Sequence, residues 1–124
     1  MRFLLDSNAF PWWRNGSRRL SKRAASEIQS PDNDILVSIG TPWEITIKRA
    51  LGKLQFLEDF EEVIQTEGFI LLPISYQHLR QLETLPRHHG DPFDRLLIAQ
   101  ALAEGIPIAT ADRRFAAYGL QIVW

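Results

Sequence analysis

The chain has 124 residues, 45% of them apolar and 23% charged, with a net charge of −1; this is the composition of one ordinary globular domain with a real core, and it excludes a disordered chain. Cysteine is absent, which excludes disulfides and thiolate metal sites and fits a reducing cytoplasm. The near-neutral charge excludes nucleic-acid binding by bulk attraction, so such contact needs local basic patches or a bridging cation, and no apolar run reaches the ~18–20 residues that span a bilayer.

The opening "RFLL" at 2–5 reads as a strand that ends at Asp6, an acid too early for a signal-peptide core. "AFPWW" at 9–13 starts a short helix. Helical spacing of Leu20, Ala24, Ala25 and Ile28 predicts a helix over 20–30, with Ser21 as its cap. "DILVSI" at 34–39 is a strand. "TPWEITIKRAL" at 41–51 is a helix stopped by Gly52, and "FLEDFEEVIQTEG" at 56–68 is another. A strand at 69–74 and a Ser75-capped helix at 75–85 follow. "DPFDRLLIAQALAEG" forms a long helix stopped by Gly105. The chain then gives a strand at 106–110, a short helix after Asp112, and a last strand, "LQIVW". Strands and helices alternate, and the apolar runs suit strands buried on both faces. The pattern predicts one domain, residues 1–124, folded as a three-layer α/β/α sandwich on a mainly parallel five-stranded sheet.

In such a fold ligands bind beyond the carboxyl ends of the strands. Four acids fall at that edge: Asp6 after the first strand, Glu44 after the second, Asp94 in the first turn of the long helix, and Asp112 after "IPIAT". Each has a plain explanation. "TPWE" reads as a capping box with Thr41 at the N-cap and Glu44 at N3, "DPFD" has the same form with Asp91 as the cap, and Asp6 and Asp112 are placed to cap as well. Capping, however, does not require the acids to converge. If they do converge, each must raise its pKa or share a cation. Hard oxygen ligands without cysteine suit Mg²⁺ or Mn²⁺. Asp91 is read as a cap that can also act through water.

The stretches "LLDSNAFPWW", "PWEITIKRALGKL", "HHGDPFDRLLIAQALAEGIPIATADRRFAAYG" and the closing "IVW" together resemble PIN-domain ribonucleases, specifically the VapC-like toxins of bacterial type II toxin–antitoxin systems. The likeness runs from Leu4 to Trp124. It implies a strand order of 3-2-1-4-5, and it puts an acidic metal site on Asp6, Glu44, Asp94 and Asp112, the same four acids. It further implies Mg²⁺- or Mn²⁺-dependent hydrolysis of RNA to a 3′-hydroxyl and a 5′-phosphate, homodimerisation, a protein antitoxin as partner, and a cytoplasmic location with no membrane association. Two stretches depart from the family pattern. Asn8 stands where a histidine is common, so an amide that cannot titrate replaces an imidazole, and Thr41-Pro42 replaces a serine and an apolar residue.

Other residues offer supporting roles. Thr110 could hold a water or a phosphate oxygen, or could merely satisfy its own turn. Arg95, directly after Asp94, is expected to pair with the acids. Arg14, Arg18 and Arg19, Lys22 and Arg23, Lys48, Arg49 and Lys53, and Arg113 and Arg114 form basic groups that could hold RNA phosphates or simply face solvent. Trp12 and Trp13 could stack on bases but are read as core or interface, and Trp43 as core. His88 and His89 lie on a loop open to substrate, where an imidazole can act as acid or base. An aspartate-nucleophile phosphatase would want a second acid where Asn8 stands, and a receiver domain would want a lysine near Thr110. The remaining alternative is a PIN fold without catalysis that acts as a binding module through a protein partner.

Overall fold

The computed structural model describes residues 1–54 and 56–124. Four parallel strands, β1 (Arg2–Leu5), β2 (Asp34–Ser38), β3 (Ile70–Leu72) and β4 (Ile108–Ala109), form one sheet in the order β3-β2-β1-β4. The helices are α1 (Ala9–Arg14), α2 (Lys22–Gln29), α3 (Gly40–Ala50), α4 (Phe60–Glu67), α5 (Tyr76–Glu83) and α6 (Pro92–Glu104), followed by a 3₁₀ helix at Arg113–Tyr118.

The middles of β1 and β2 are apolar because both their faces are covered. Phe3 and Leu5 of β1, with Ile35 and Val37 of β2, point into one cluster with Phe10, Ala24, Ile28 and Val63 from α1, α2 and α4. Leu4 and Leu36 point the other way, onto Leu97 and Ile98 of α6, Leu85 and Phe115. Two cores on opposite faces of one sheet make the expected three layers. Each fully buried Leu or Phe side chain contributes roughly 1.5–3 kcal/mol relative to exposure.

The fifth strand is where the structure departs from expectation. The closing segment runs beside β4 and is parallel to it, but it is reduced to one bridge between Ile108 and Ile122. Ile108 donates to the Gln121 carbonyl at 3.0 Å and accepts from Val123 N–H at 2.9 Å. The cause is β4 itself, only two residues long between Pro107 and the turn at Thr110, which leaves one residue to pair outward.

A second departure moves Glu44. The α3 helix begins at Gly40, with Ile39 at the N-cap and no side-chain cap, so the "TPWE" capping box does not form. Ser38 Oγ instead accepts from Gly40 N–H at 3.0 Å. Thr41 is fully buried and its hydroxyl has no hydrogen-bond partner among the described residues. Gly40 lies against α6: a Cβ there would stand 2.8 Å from Leu96 Cδ2 and 3.3 Å from Ser38 Oγ. Close approach of α3 to α6 therefore depends on the absent side chain. Trp43 projects outward, 56% exposed, and meets Phe93 edge-on at 4.7 Å, so it is not a core residue.

The longest helix, α6, follows its sequence signals closely. Asp91 caps it by accepting from Asp94 N–H at 2.9 Å, Pro92 opens it, and Gly105 ends it in the left-handed region at φ 65°. Its middle, Leu96 to Ala101, is buried all round, because α6 lies between the sheet, α3 and α5. No helix among the described residues is long and apolar enough to cross a membrane.

The contact at Gly40 is testable. Gly40→Ala is expected to destabilise the fold by about 1–3 kcal/mol, the range for overpacking a tight contact, as read by urea denaturation; an unchanged midpoint would show that α3 and α6 are free to separate.

Candidate active site

Strand β1 is central, and the chain leaves it towards β2 on one side and β4 on the other, so the sheet's switch point lies at the end of β1. Asp6 occupies that point. It is 4% exposed, and it does not cap α1, whose N-cap is Asn8. Thr110, at the end of the neighbouring β4, donates its hydroxyl to Asp6 Oδ2 at 2.8 Å. The Thr110 oxygen in turn accepts from Asp112 N–H at 3.0 Å, so its one proton is committed to Asp6 and it braces that carboxylate. Ser7 Oγ lies 3.4 Å from Asp6 Oδ1. Burial pushes the Asp6 pKa up, the Thr110 bond and the backbone N–H of Asn8 oppose this, and the nearby charge of Glu44 pushes it further up.

Glu44 lies one turn into α3 and is 7% exposed. Lys48, one turn further, reaches its Oε2 at 2.7 Å. Its other oxygen, Oε1, is buried and has no hydrogen-bond partner among the described residues. A buried, unpartnered carboxylate oxygen is costly unless a donor or a cation completes it.

Asp94 lies in the first turn of α6. Its pKa is pushed up to about 7, by burial first and then by the charges of Asp6, Asp91, Glu44 and Asp112. Asp6, Asp91, Glu44 and Asp112 thus lie near enough to Asp94 for their charges to oppose its ionisation, with Asp112 the acid that shares its tightest cluster, around His89. Asp112 caps the 3₁₀ helix through Arg114 N–H at 3.0 Å. The Arg114 guanidinium grips both its oxygens at 2.7–3.2 Å and is the main reason its pKa is lowered to about 2.

The remaining sequence candidates divide. Asn8 is exposed beside Asp6. Asp91 is the cap of α6 and sits at the edge of the cluster. Arg95 does not pair with the acids: one residue further round the helix from Asp94, it turns the other way and donates to the carbonyls of Leu85, Pro86 and His89 at 3.1, 2.8 and 3.3 Å. Arg14 is also taken, bound to Glu58 and Glu67, and so is not free to meet a phosphate. Trp12 and Trp13 pack at the edge of the first core, Trp13 donating to Glu67 at 3.0 Å. Sequence reasoning left His89 on an open loop. It is in fact 6% exposed, with Nε2 3.0 Å from Asp94 Oδ2 and 3.1 Å from Asp112 Oδ2. The signal that was available is its place two residues before the cap of α6.

The donor set is all carboxylate oxygen and carries excess negative charge. Together with the unpartnered Glu44 oxygen this fits a hard divalent cation. Fold and site thus define an α/β domain with a cation-seeking acidic cleft at its topological switch point. The PIN domain family model matches residues 3–120, and the chain belongs to that family. It is 31% identical over 117 residues to Ribonuclease VapC22 of Mycobacterium tuberculosis, an alignment covering 90% of this chain and 87% of that protein. In fold it is similar to a chain of the VapBC2 complex of Rickettsia felis bound to a promoter DNA fragment (TM-score 0.67, 15% identity, 98% of this chain and 97% of that one). A chain of a toxin–antitoxin complex from Klebsiella pneumoniae is also similar, with TM-score 0.64 and 19% identity over 98% of this chain and 96% of that one.

The raised acids set the pH dependence of the metal-free chain. A carboxyl whose folded pKa lies above its unfolded value holds its proton more tightly when folded, so its stabilising contribution is present at low pH and is lost as pH rises. For Asp94 that loss runs from about 3.8 to about 7. Thermal melts in EDTA are expected to fall over this window, and Asp94→Asn is expected to flatten the fall; parallel curves for the two proteins would show that Asp94 is not under charge repulsion.

Proposed function

We propose that this chain is a metal-dependent endoribonuclease and the toxin of a type II toxin–antitoxin pair. The observation that carries this reading is the convergence of Asp6, Glu44, Asp94 and Asp112, with Glu44 Oε1 buried and unpartnered and Asp94 repelled by its neighbours. The ribonuclease name of the M. tuberculosis relative, over most of both chains, supports the substrate class. These four carboxylates would hold Mg²⁺ or Mn²⁺. When bound, such an ion polarises a phosphodiester and lowers the pKa of water, allowing hydrolysis to a 3′-hydroxyl and a 5′-phosphate.

The chain's own residues do the rest. Thr110 fixes the rotamer of Asp6, so that carboxylate is positioned in advance. A carboxylate not directly on the ion orients the attacking water. Lys48 and Arg114, each paired with an acid, stand at the rim with partly exposed heads. From there Lys48 and Arg114 could meet RNA phosphates, contacts that give affinity without sequence choice. Asn8 faces the same opening and can donate to substrate but cannot act as an acid or base.

The partner assignments rest on two apolar grooves and on the structural neighbours being chains of VapBC complexes. One groove, about 460 Å³, lies between Ile39, Pro42, Phe60, Ile64 and Leu71. The other, about 350 Å³, lies between Trp43, Ile74, Leu79, Phe93 and Leu96. They suit a second copy of the chain and an antitoxin segment. The site of action is the cytoplasm, where the RNA is.

Asp6→Asn, Glu44→Gln and Asp94→Asn are each expected to weaken Mn²⁺ binding and RNA cleavage by more than the roughly 10–100-fold typical of losing an outer-shell partner. Mn²⁺ titration and a cleavage assay with and without EDTA check this. A wild-type chain that neither binds Mn²⁺ nor cleaves RNA would instead favour a catalytically silent binding module, and cleavage that persists unchanged in Asp6→Asn would show that the activity does not arise at this site. Induced expression is expected to arrest growth and the Asp6→Asn protein is not, with rescue by the product of a short neighbouring reading frame.

A further inference from the structure

We infer that His89 is a positioning residue: a neutral imidazole, fixed in its Nε2–H tautomer, that holds Asp112 beside Asp94 while staying outside the ligand set of any ion they hold. The inference rests on reading the cleft as a cation site and adds a role for a residue outside the four acids.

The tautomer follows from the other ring nitrogen. His89 Nδ1 accepts from the backbone N–H of Asp91 at 3.1 Å. A nitrogen that accepts carries no proton, so the ring proton is on Nε2. That N–H is directed at Asp112 Oδ2, 3.1 Å away, with Asp94 Oδ2 at 3.0 Å. The ring cannot swing aside. It is buried, its edge packs on Phe115 with ring centres 5.8 Å apart, and its own carbonyl is held by Arg95. Arg95 also holds the carbonyls of Leu85 and Pro86, so the guanidinium staples down the loop that delivers the histidine.

The ligand atoms of His89, Asp94 and Asp112 all lie within 4.8 Å of one another, and by distance alone the three form a metal-binding trio. The chemistry argues otherwise. To ligate through Nε2 the ring would need its proton on Nδ1, and that proton would face the Asp91 N–H with no acceptor between them. A neutral donor is also the better device here. It satisfies Asp112 Oδ2 next to Asp94 without contributing a full positive charge that would compete with the cation. The same logic makes outer-shell hydrogen bonds set ligand orientation in metal sites.

Two substitutions separate the two ends of the ring. His89→Gln keeps an N–H donor near the ε position, whereas His89→Asn keeps an acceptor near the δ position and removes the donor. In long-range ¹H–¹⁵N spectra of the full chain, His89 is expected to show the Nε2–H tautomer both without metal and with Mg²⁺. Mn²⁺ affinity is expected to fall about 10–100-fold in His89→Asn and to be largely restored in His89→Gln. Movement of the proton to Nδ1 on adding Mg²⁺ would make His89 a ligand and overturn the inference, as would wild-type affinity in His89→Asn. Failure of the wild-type chain to bind Mn²⁺ would sink the cation-site reading instead. The metal-free tautomer is read with no ion and no substitution, so a proton found on Nδ1 there would overturn the inference even if no variant folds.

Discussion

The constraint on which the rest of this structure depends is the repulsion among carboxylates gathered at one edge of a parallel sheet. Their burial and proximity are together unfavourable in the metal-free protein: burial first, and then neighbouring negative charge, pushes the pKa values of Asp6 and Asp94 up. The fold compensates locally. Thr110 donates to Asp6, Lys48 pairs with Glu44, Arg114 with Asp112, and His89 contacts Asp94 and Asp112 together. Each acid has its own counterweight, yet one Glu44 oxygen is left unpartnered and Asp94 remains strongly perturbed. A fold selected only for stability would replace such a cluster, since well-packed apolar groups do as well or better. Its retention is intelligible if the repulsion is relieved by something the chain binds.

The secondary structure does little more than bring these groups to one place. Parallel pairing of β1 with β2 and β4 puts three strand ends side by side. Asp6 and Thr110 then meet across adjacent strands, and Gly40 lets α3 approach α6 closely enough for Glu44 and Asp94 to sense each other. Precision comes from short bonds made by buried side chains on rigid elements.

Much of this was legible in the sequence, for definable reasons. Helix α6 carries both of its end signals, and the apolar runs of β1 and β2 admit few alternatives, so the layers and the edge followed. The four acids were identifiable because strand-end positions are readable from strand boundaries. Other features depended on tertiary contacts that local patterns do not contain. "TPWE" satisfies a capping rule, but packing against Leu96 and the Ser38 hydroxyl start α3 earlier and make Glu44 available. Arg95 looked like a partner for Asp94, but neighbours in a helix point in different directions. Trp43 is apolar and still faces outward, and the last strand is cut short because β4 offers too little edge. His89 was the least visible, because its burial depends on Phe115 and on the loop carbonyls that Arg95 binds.

The hydrogen bond from Thr110 to Asp6 spans 104 positions of sequence and closes nearly the whole chain into a loop. Asp6 is therefore synthesised 104 residues ahead of its brace. Until β4 docks beside β1, nothing holds Asp6 and Asp112 on the same edge, so the acidic edge is a late product of folding rather than of any local segment.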